Sequence, residues 1–166
     1  MDTFDLHENF ITPVERTGLI TWAQSKKLLC INRQNLHGGG VGRRFSRRVR
    51  SLGTLPTIIT ELGVRMEVAL GLTDANRLKY KLVIHEVGSD TVDHVDAYSA
   101  QYPLFFRAAL LIQASTQGGI FRVNQTPINF PESSLLSFVG DSTHDVTEVI
   151  QGERILLRAN WYRDPP

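Results

Sequence analysis

Seven short β-like runs crowd the second half of the chain, and they constrain its fold more than any other feature. KLVIHEV, TVDHVDAY, LFFRAALLI, GIFRV, SSLLSFV, DVTEVI and RILLRANWY follow one another between Lys81 and Tyr162. Turn signals at Gly88, Gly118–Gly119, Asn129-Phe130-Pro131, Gly140 and Gly152 part them. Many short strands at regular spacing imply a β-sandwich, barrel or jelly roll. Residues 1–80 read differently, as a mixed and partly helical part that supports or covers an 81–163 core. From Pro56 to Leu70, apolar residues recur at helical spacing; Pro56 suits the first turn and Gly71 a stop. Ahead of that helix, HGGGVG (His37 to Gly42) is a flexible loop leading into RRFSRRVRS.

Length and composition bound the rest. A chain of 166 residues suits one compact domain, and 42% apolar with 21% charged residues suits a soluble one. No run approaches the ~18 apolar residues of a membrane span. The start, MDTFDLHENF, lacks a basic n-region and an apolar h-region, so secretion is not expected. Cys30, the single cysteine, makes no internal disulfide. A reducing, cytoplasmic setting follows.

The net charge of +1 hides an asymmetry. From Arg16 to Thr60 there is no acid, yet nine basic residues: Arg16, Lys26, Lys27, Arg33, Arg43, Arg44, Arg47, Arg48 and Arg50. The other nine Lys and Arg share the rest of the chain with all seventeen acids, which leaves that remainder at −8. Such a division speaks of fields and partners, not of fold.

His94-Val95-Asp96 lies in a run with strand character, where side chains alternate faces. His94 and Asp96 therefore point the same way and could grip one ion. His144 follows fifty residues on, beside a turn. Two imidazoles and a carboxylate suit iron(II) and leave coordination positions open. The dipeptide pattern alone is weak; its company makes it specific. Arg154, ten residues after His144, offers a planar fork to a carboxylate, and Arg158 shares its face four residues on. Phe105, Phe106, Phe121, Phe138 and Trp161 could wall a pocket or simply fill the core.

From Tyr80 to Tyr162, about half of the chain, the sequence resembles the iron(II)- and 2-oxoglutarate-dependent dioxygenases, in their prolyl-hydroxylase-like branch. LVIHEVGSDTVDHVDAY looks like that branch's strand and glycine turn leading into HxD. RAALLIQASTQGGIFRV looks like its next strand with a Gly-Gly turn. LLSFVGDSTHDVTEVIQGERILLRANW looks like its closing segment. The resemblance implies an α+β fold with a double-stranded β-helix (jelly-roll) core and N-terminal supporting helices. It also implies His94, Asp96 and His144 as iron ligands and Arg154 as the 2-oxoglutarate clamp; Arg158, by its shared strand face, and His85, as a pocket residue, are further candidate co-substrate contacts. The activity implied is a dioxygenase that hydroxylates or oxidatively demethylates a substrate, consuming O2 and releasing succinate and CO2. An aspartate at position 96 favours that chemistry over halogenation. Three positions depart from the pattern: His85 replaces a tyrosine, Leu110 a threonine, and the Gly-Gly loop is short. His85 reads more simply as a strand histidine bonded to backbone.

For the substrate, the acid-free stretch is the only clue. Arg43, Arg44, Arg47 and Arg48 interleave with Phe45 and could bind phosphates, so a nucleic-acid-modifying oxygenase of the same class is an alternative. The nucleic-acid demethylases' arginine–asparagine–arginine signature is not met, because Leu156 and Asn160 stand at its second and third positions. Arginines equally recognise an acidic peptide or a small carboxylated metabolite. Outside the class remain a cupin-like metal enzyme and a non-catalytic, basic nucleic-acid-binding module.

Overall fold

Thr12 opens the first helix with a capping box: its hydroxyl accepts from the Glu15 N–H, and the Glu15 carboxylate accepts from the Thr12 N–H at 2.7 Å. Pro13 occupies the first turn of this helix, α1 (Pro13–Lys26). The second, α2 (Thr57–Ala69), begins just after Pro56. It ends at Ala69, and Gly71, two residues on, turns the chain away with a φ of +63°, the left-handed conformation that only glycine adopts cheaply. Both boundaries of α2 are those the sequence predicts. The computed structural model describes residues 4–27, 30–34, 45–49, 52, 54–72, 77–94, 104–138 and 142–162. Of residues 30–34, 45–49, 77, 92, 94, 104 and 105 it describes the main chain only. Among the described residues no helix is long and apolar enough to cross a membrane.

The larger sheet is antiparallel throughout. In spatial order it runs β1 (Phe4–His7), β10 (Leu135–Phe138), β6 (Leu104–Gln113), β13 (Arg154–Tyr162), β4 (Arg77–His85), β3 (Phe45–Val49) and β2 (Cys30–Gln34). The smaller sheet runs β5 (Thr91–His94), β11 (His144–Val146), β8 (Phe121–Val123) and β9 (Thr126–Pro127). A separate ribbon pairs β12 (Val149–Gln151) with β7 (Gln117–Gly118).

Two sequence expectations change in detail. DVTEVI, read as one run, splits into β11 and β12, which pair with different partners, and His144 begins β11 instead of preceding a strand. The N-terminal part supplies strands as well as helices: β1, β2 and β3 all join the larger sheet. β1 owes its place to β10, with Phe4 opposite Phe138, a pairing across the whole chain that no local pattern announces.

Alternation along the larger sheet sorts its residues into two faces. Leu82, Ile84, Ala108, Leu110, Ile112, Ile155, Leu157, Ala159 and Trp161 pack on Leu19, Ala23, Ile59, Leu62 and Met66 of the helices. The fully buried indole of Trp161 donates to Glu67 at 3.0 Å. The opposite face, with Val83, Ala109, Leu111 and Leu156, turns away from the helices toward the cavity described next.

Candidate active site

On that second face the alternation exposes a different kind of residue. His85, Arg107, Arg154 and Arg158 share it with Val83, Ala109 and Leu156, and all of them line one cavity. Thr91, Phe121, His144 and Val146 of the smaller sheet, Phe138 of β10 and Phe130 of a connecting loop complete the lining. The cavity measures about 40 Å³. A single water needs only ~10–15 Å³, so a ligand group entering here displaces water from polar donors.

Arg154 begins β13 directly opposite His85 in the ladder. It is only 3% exposed, and its Nη1 has no hydrogen-bond partner among the described residues. Burial, and then the neighbouring Arg158, pull its pKa down to about 10. The Phe130 ring lies 5.9 Å from its Cζ. A buried guanidinium in this condition is costly unless an anion joins it. Arg158, half-buried, sits four residues further along the same face. His85 is buried, and its Nε2 lies 3.1 Å from the Thr91 hydroxyl; the contact expected with backbone is one with a side chain.

His144 stands at the other side of the cavity, wedged against Phe138 at 4.8 Å and Phe121 at 6.0 Å between ring centroids. Its Nδ1 lies 2.9 Å from the Ser142 carbonyl oxygen. A carbonyl only accepts, so Nδ1 carries the proton and Nε2 keeps the lone pair that a metal ion requires. Across the β11–β5 ladder the residue directly opposite His144 is His94. Asp96 lies outside the described residues, and so do Arg43 and Arg44. For His94, Arg47 and Arg48 only the main chain is described; Arg47 pairs with Ile84 and Arg48 with Val83. Among the described residues no group of three potential ligands comes together. The nucleic-acid reading of the arginine run gains no support from this structure.

The aromatics divide. Phe121 and Phe138 line the cavity, whereas Trp161 and Phe106 meet edge to face in the helix-side core. The side chain of Phe105 is not described. Six lining residues went unnoticed as site residues in the sequence: Val83, Thr91, Arg107, Ala109, Phe130 and Val146. Only Arg107 had a signal, as the lone charge in the apolar run LFFRAALLI.

No family model matches the chain, and no curated protein matches it by sequence. Solved structures do. The collagen prolyl hydroxylase of Paramecium bursaria Chlorella virus-1 aligns over 99% of this chain and 97% of its own, with TM-score 0.72 and 14% identity. A Pseudomonas putida prolyl-4-hydroxylase aligns over 99% and 94%, with TM-score 0.74 and 15% identity. A non-haem, α-ketoglutarate-dependent epimerase of nogalamycin biosynthesis aligns over 98% and 79%, with TM-score 0.74 and 12% identity. The chain therefore has the fold of the 2-oxoglutarate–iron(II) oxygenases, with a double-stranded β-helix core, in the form seen in prolyl hydroxylases.

Proposed function

We propose that the protein is an iron(II)- and 2-oxoglutarate-dependent oxygenase, with iron held by His94, Asp96 and His144 and the distal carboxylate of 2-oxoglutarate held by Arg154. One observation carries the reading: the buried Arg154 guanidinium, short of a partner at Nη1, lines the same cavity as His144. An arginine alone would be a structural curiosity. Combined with an imidazole whose lone pair is directed by a backbone carbonyl, it matches a ligand that is anionic at one end and chelating at the other. When bound, iron(II) supplies the oxygen chemistry, with 2-oxoglutarate oxidised to succinate and carbon dioxide and a substrate C–H hydroxylated. The chain's own part is positioning: Arg154 fixes one end of the co-substrate, Arg158 adds positive charge, and Phe121, Phe138 and Val146 keep water from the reacting end.

Gly119 is a positioning residue in this account. Its φ is +65°, and a Cβ placed there would lie 2.5 Å from the Ser115 hydroxyl and 3.3 Å from Arg154 Cδ. Gly119→Ala is expected to weaken 2-oxoglutarate binding several-fold by shifting the guanidinium, at a stability cost of about 1 kcal/mol for the left-handed backbone. Calorimetric titration and a thermal melt read the two effects separately.

The reading itself is tested by adding iron(II) anaerobically, then 2-oxoglutarate, and recording the visible spectrum. A charge-transfer band should appear only with both present, vanish in His94→Ala, and need far more 2-oxoglutarate in Arg154→Gln. Metal binding without a band would point instead to a cupin-like enzyme, and no metal binding would remove the oxygenase reading.

A further inference from the structure

A second hollow borders Arg154. It measures about 470 Å³ against about 40 Å³ for the inner cavity, and the two share Arg154, Phe121 and Phe130. The Phe130 ring lies 5.9 Å from Arg154 Cζ and meets Phe121 edge to face, with centroids 6.3 Å apart. The other walls come from Leu111 and Ala114 around the end of β6, from the turn of Gly118 and Gly119, and from Pro127 to Asn129. Ile120, 49% exposed, and the exposed Asn129 place this hollow at the surface. Arg154 thus stands between an inner cavity that reaches His144 and an outer one that reaches solvent.

The two hollows suit different ligands. One water needs ~10–15 Å³, so the inner cavity has room for roughly three, whereas the outer one is of the size common for small-molecule sites. Among the described residues that line the outer hollow, Arg154 alone is charged. Leu111, Ile120, Phe121, Ile128 and Phe130 give it apolar wall. A dicarboxylate such as 2-oxoglutarate would bring a second charge there with no described cation to meet it. A monocarboxylic acid brings only one. Its carboxylate answers the buried guanidinium, whose Nη1 has no hydrogen-bond partner among the described residues, and its apolar body covers the apolar wall. Two carboxylates on one guanidinium repel each other, so an anion on the outer side opposes one on the inner side.

We propose that the outer hollow is a regulatory site for a monocarboxylic acid with an aliphatic or aromatic body, which binds Arg154 and thereby excludes 2-oxoglutarate. The exclusion rests on the oxygenase reading. The acid site itself rests only on the buried guanidinium and the hollow beside it.

The test uses the full chain. Without metal, octanoate, 3-phenylpropionate and 4-phenylbutyrate are titrated calorimetrically against their primary amides. An acid should bind tighter than its amide by on the order of tenfold or more, the value of a charged hydrogen bond. Arg154→Gln should erase that preference. Ile120 and Asn129 line the outer hollow and not the inner cavity. Ile120→Trp and Asn129→Trp, which narrow the outer hollow, should therefore weaken the acid while the 2-oxoglutarate titration stays as in wild type. With manganese(II) in place of iron, which prevents turnover, the apparent Kd for 2-oxoglutarate should rise in proportion to acid concentration without levelling off. The proposal is overturned if no acid binds tighter than its amide, or if the preference survives in Arg154→Gln. Unchanged acid affinity in both folded tryptophan variants would also overturn it, by placing the acids in the inner cavity as mimics of 2-oxoglutarate. A plateau in the apparent Kd would do the same, since acid and 2-oxoglutarate would then share the chain. Failure of 2-oxoglutarate to bind strikes the oxygenase reading instead, and the metal-free titrations still decide the acid site.

Discussion

Arg154→Met is expected to stabilise the ligand-free protein while weakening 2-oxoglutarate binding by about two orders of magnitude or more. The two effects have one cause. Burial, then Arg158, hold the Arg154 pKa at about 10, well below the usual arginine range. That fall corresponds to about 3 kcal/mol against the charged form in the folded chain. For a cation with a lowered folded pKa, the cost is fully present below about pH 10 and is relieved as pH rises above that. At neutral pH the wild type therefore carries all of it. Methionine keeps the aliphatic volume and drops the charge, so part of that energy returns as stability, about 2–4 °C per kcal/mol for a chain of this size. Binding moves the other way, because a desolvated carboxylate loses its fork. Thermal melts and calorimetric titration of both proteins measure the pair of effects, and the difference in melting should shrink above about pH 10. A destabilised variant with normal 2-oxoglutarate affinity would make Arg154 a structural cation.

That arginine shows how much a sequence of this kind discloses. Its spacing from His144 made it a clamp candidate, but spacing says nothing about burial; only the sheet shows that it faces inward with an atom unmatched. The long strands β6 and β13 and the second half of β4 were legible because each carries an apolar stretch bounded by turn residues, and α2 because Pro56 and Gly71 punctuate it. β1 was not, because a four-residue strand takes its identity from β10 at the other end of the chain. Arg107 and Asn160 were missed for a related reason. Each is a polar residue inside a strand run, which gives no sign of its partner, and their meeting depends on the β6–β13 register, which places them side by side although 53 residues separate them. The facing of His94 and His144 depends likewise on the β5–β11 ladder. Local pattern gives strands; register gives sites.

The register of β5 and β11 also carries the second large effect. His144→Ala is expected to abolish retention of iron(II), lowering affinity by at least about a hundredfold, the upper end of what loss of a mere supporting contact costs. The Ser142 carbonyl accepts a hydrogen bond from Nδ1–H, and the ring packs against both Phe121 and Phe138, so Nε2 is oriented before any metal arrives. Pre-orientation of this kind saves the entropy of ordering an imidazole at the moment of binding. Alanine removes the metal-binding nitrogen and also leaves a void beside two aromatic rings, which should cost about 2–4 kcal/mol of stability. The two losses separate in one experiment. The ligand-free variant should melt below wild type, and adding iron(II) should shift the melting of wild type but not of the variant. His94→Ala, measured alongside, should lose the metal-induced shift as well, which marks the loss as one of coordination and not of ring packing. Were both variants to fold and hold iron(II) as wild type does, the metal would belong elsewhere. The Arg154 cavity would then be the anion site of a protein that shares the oxygenase fold without its metal.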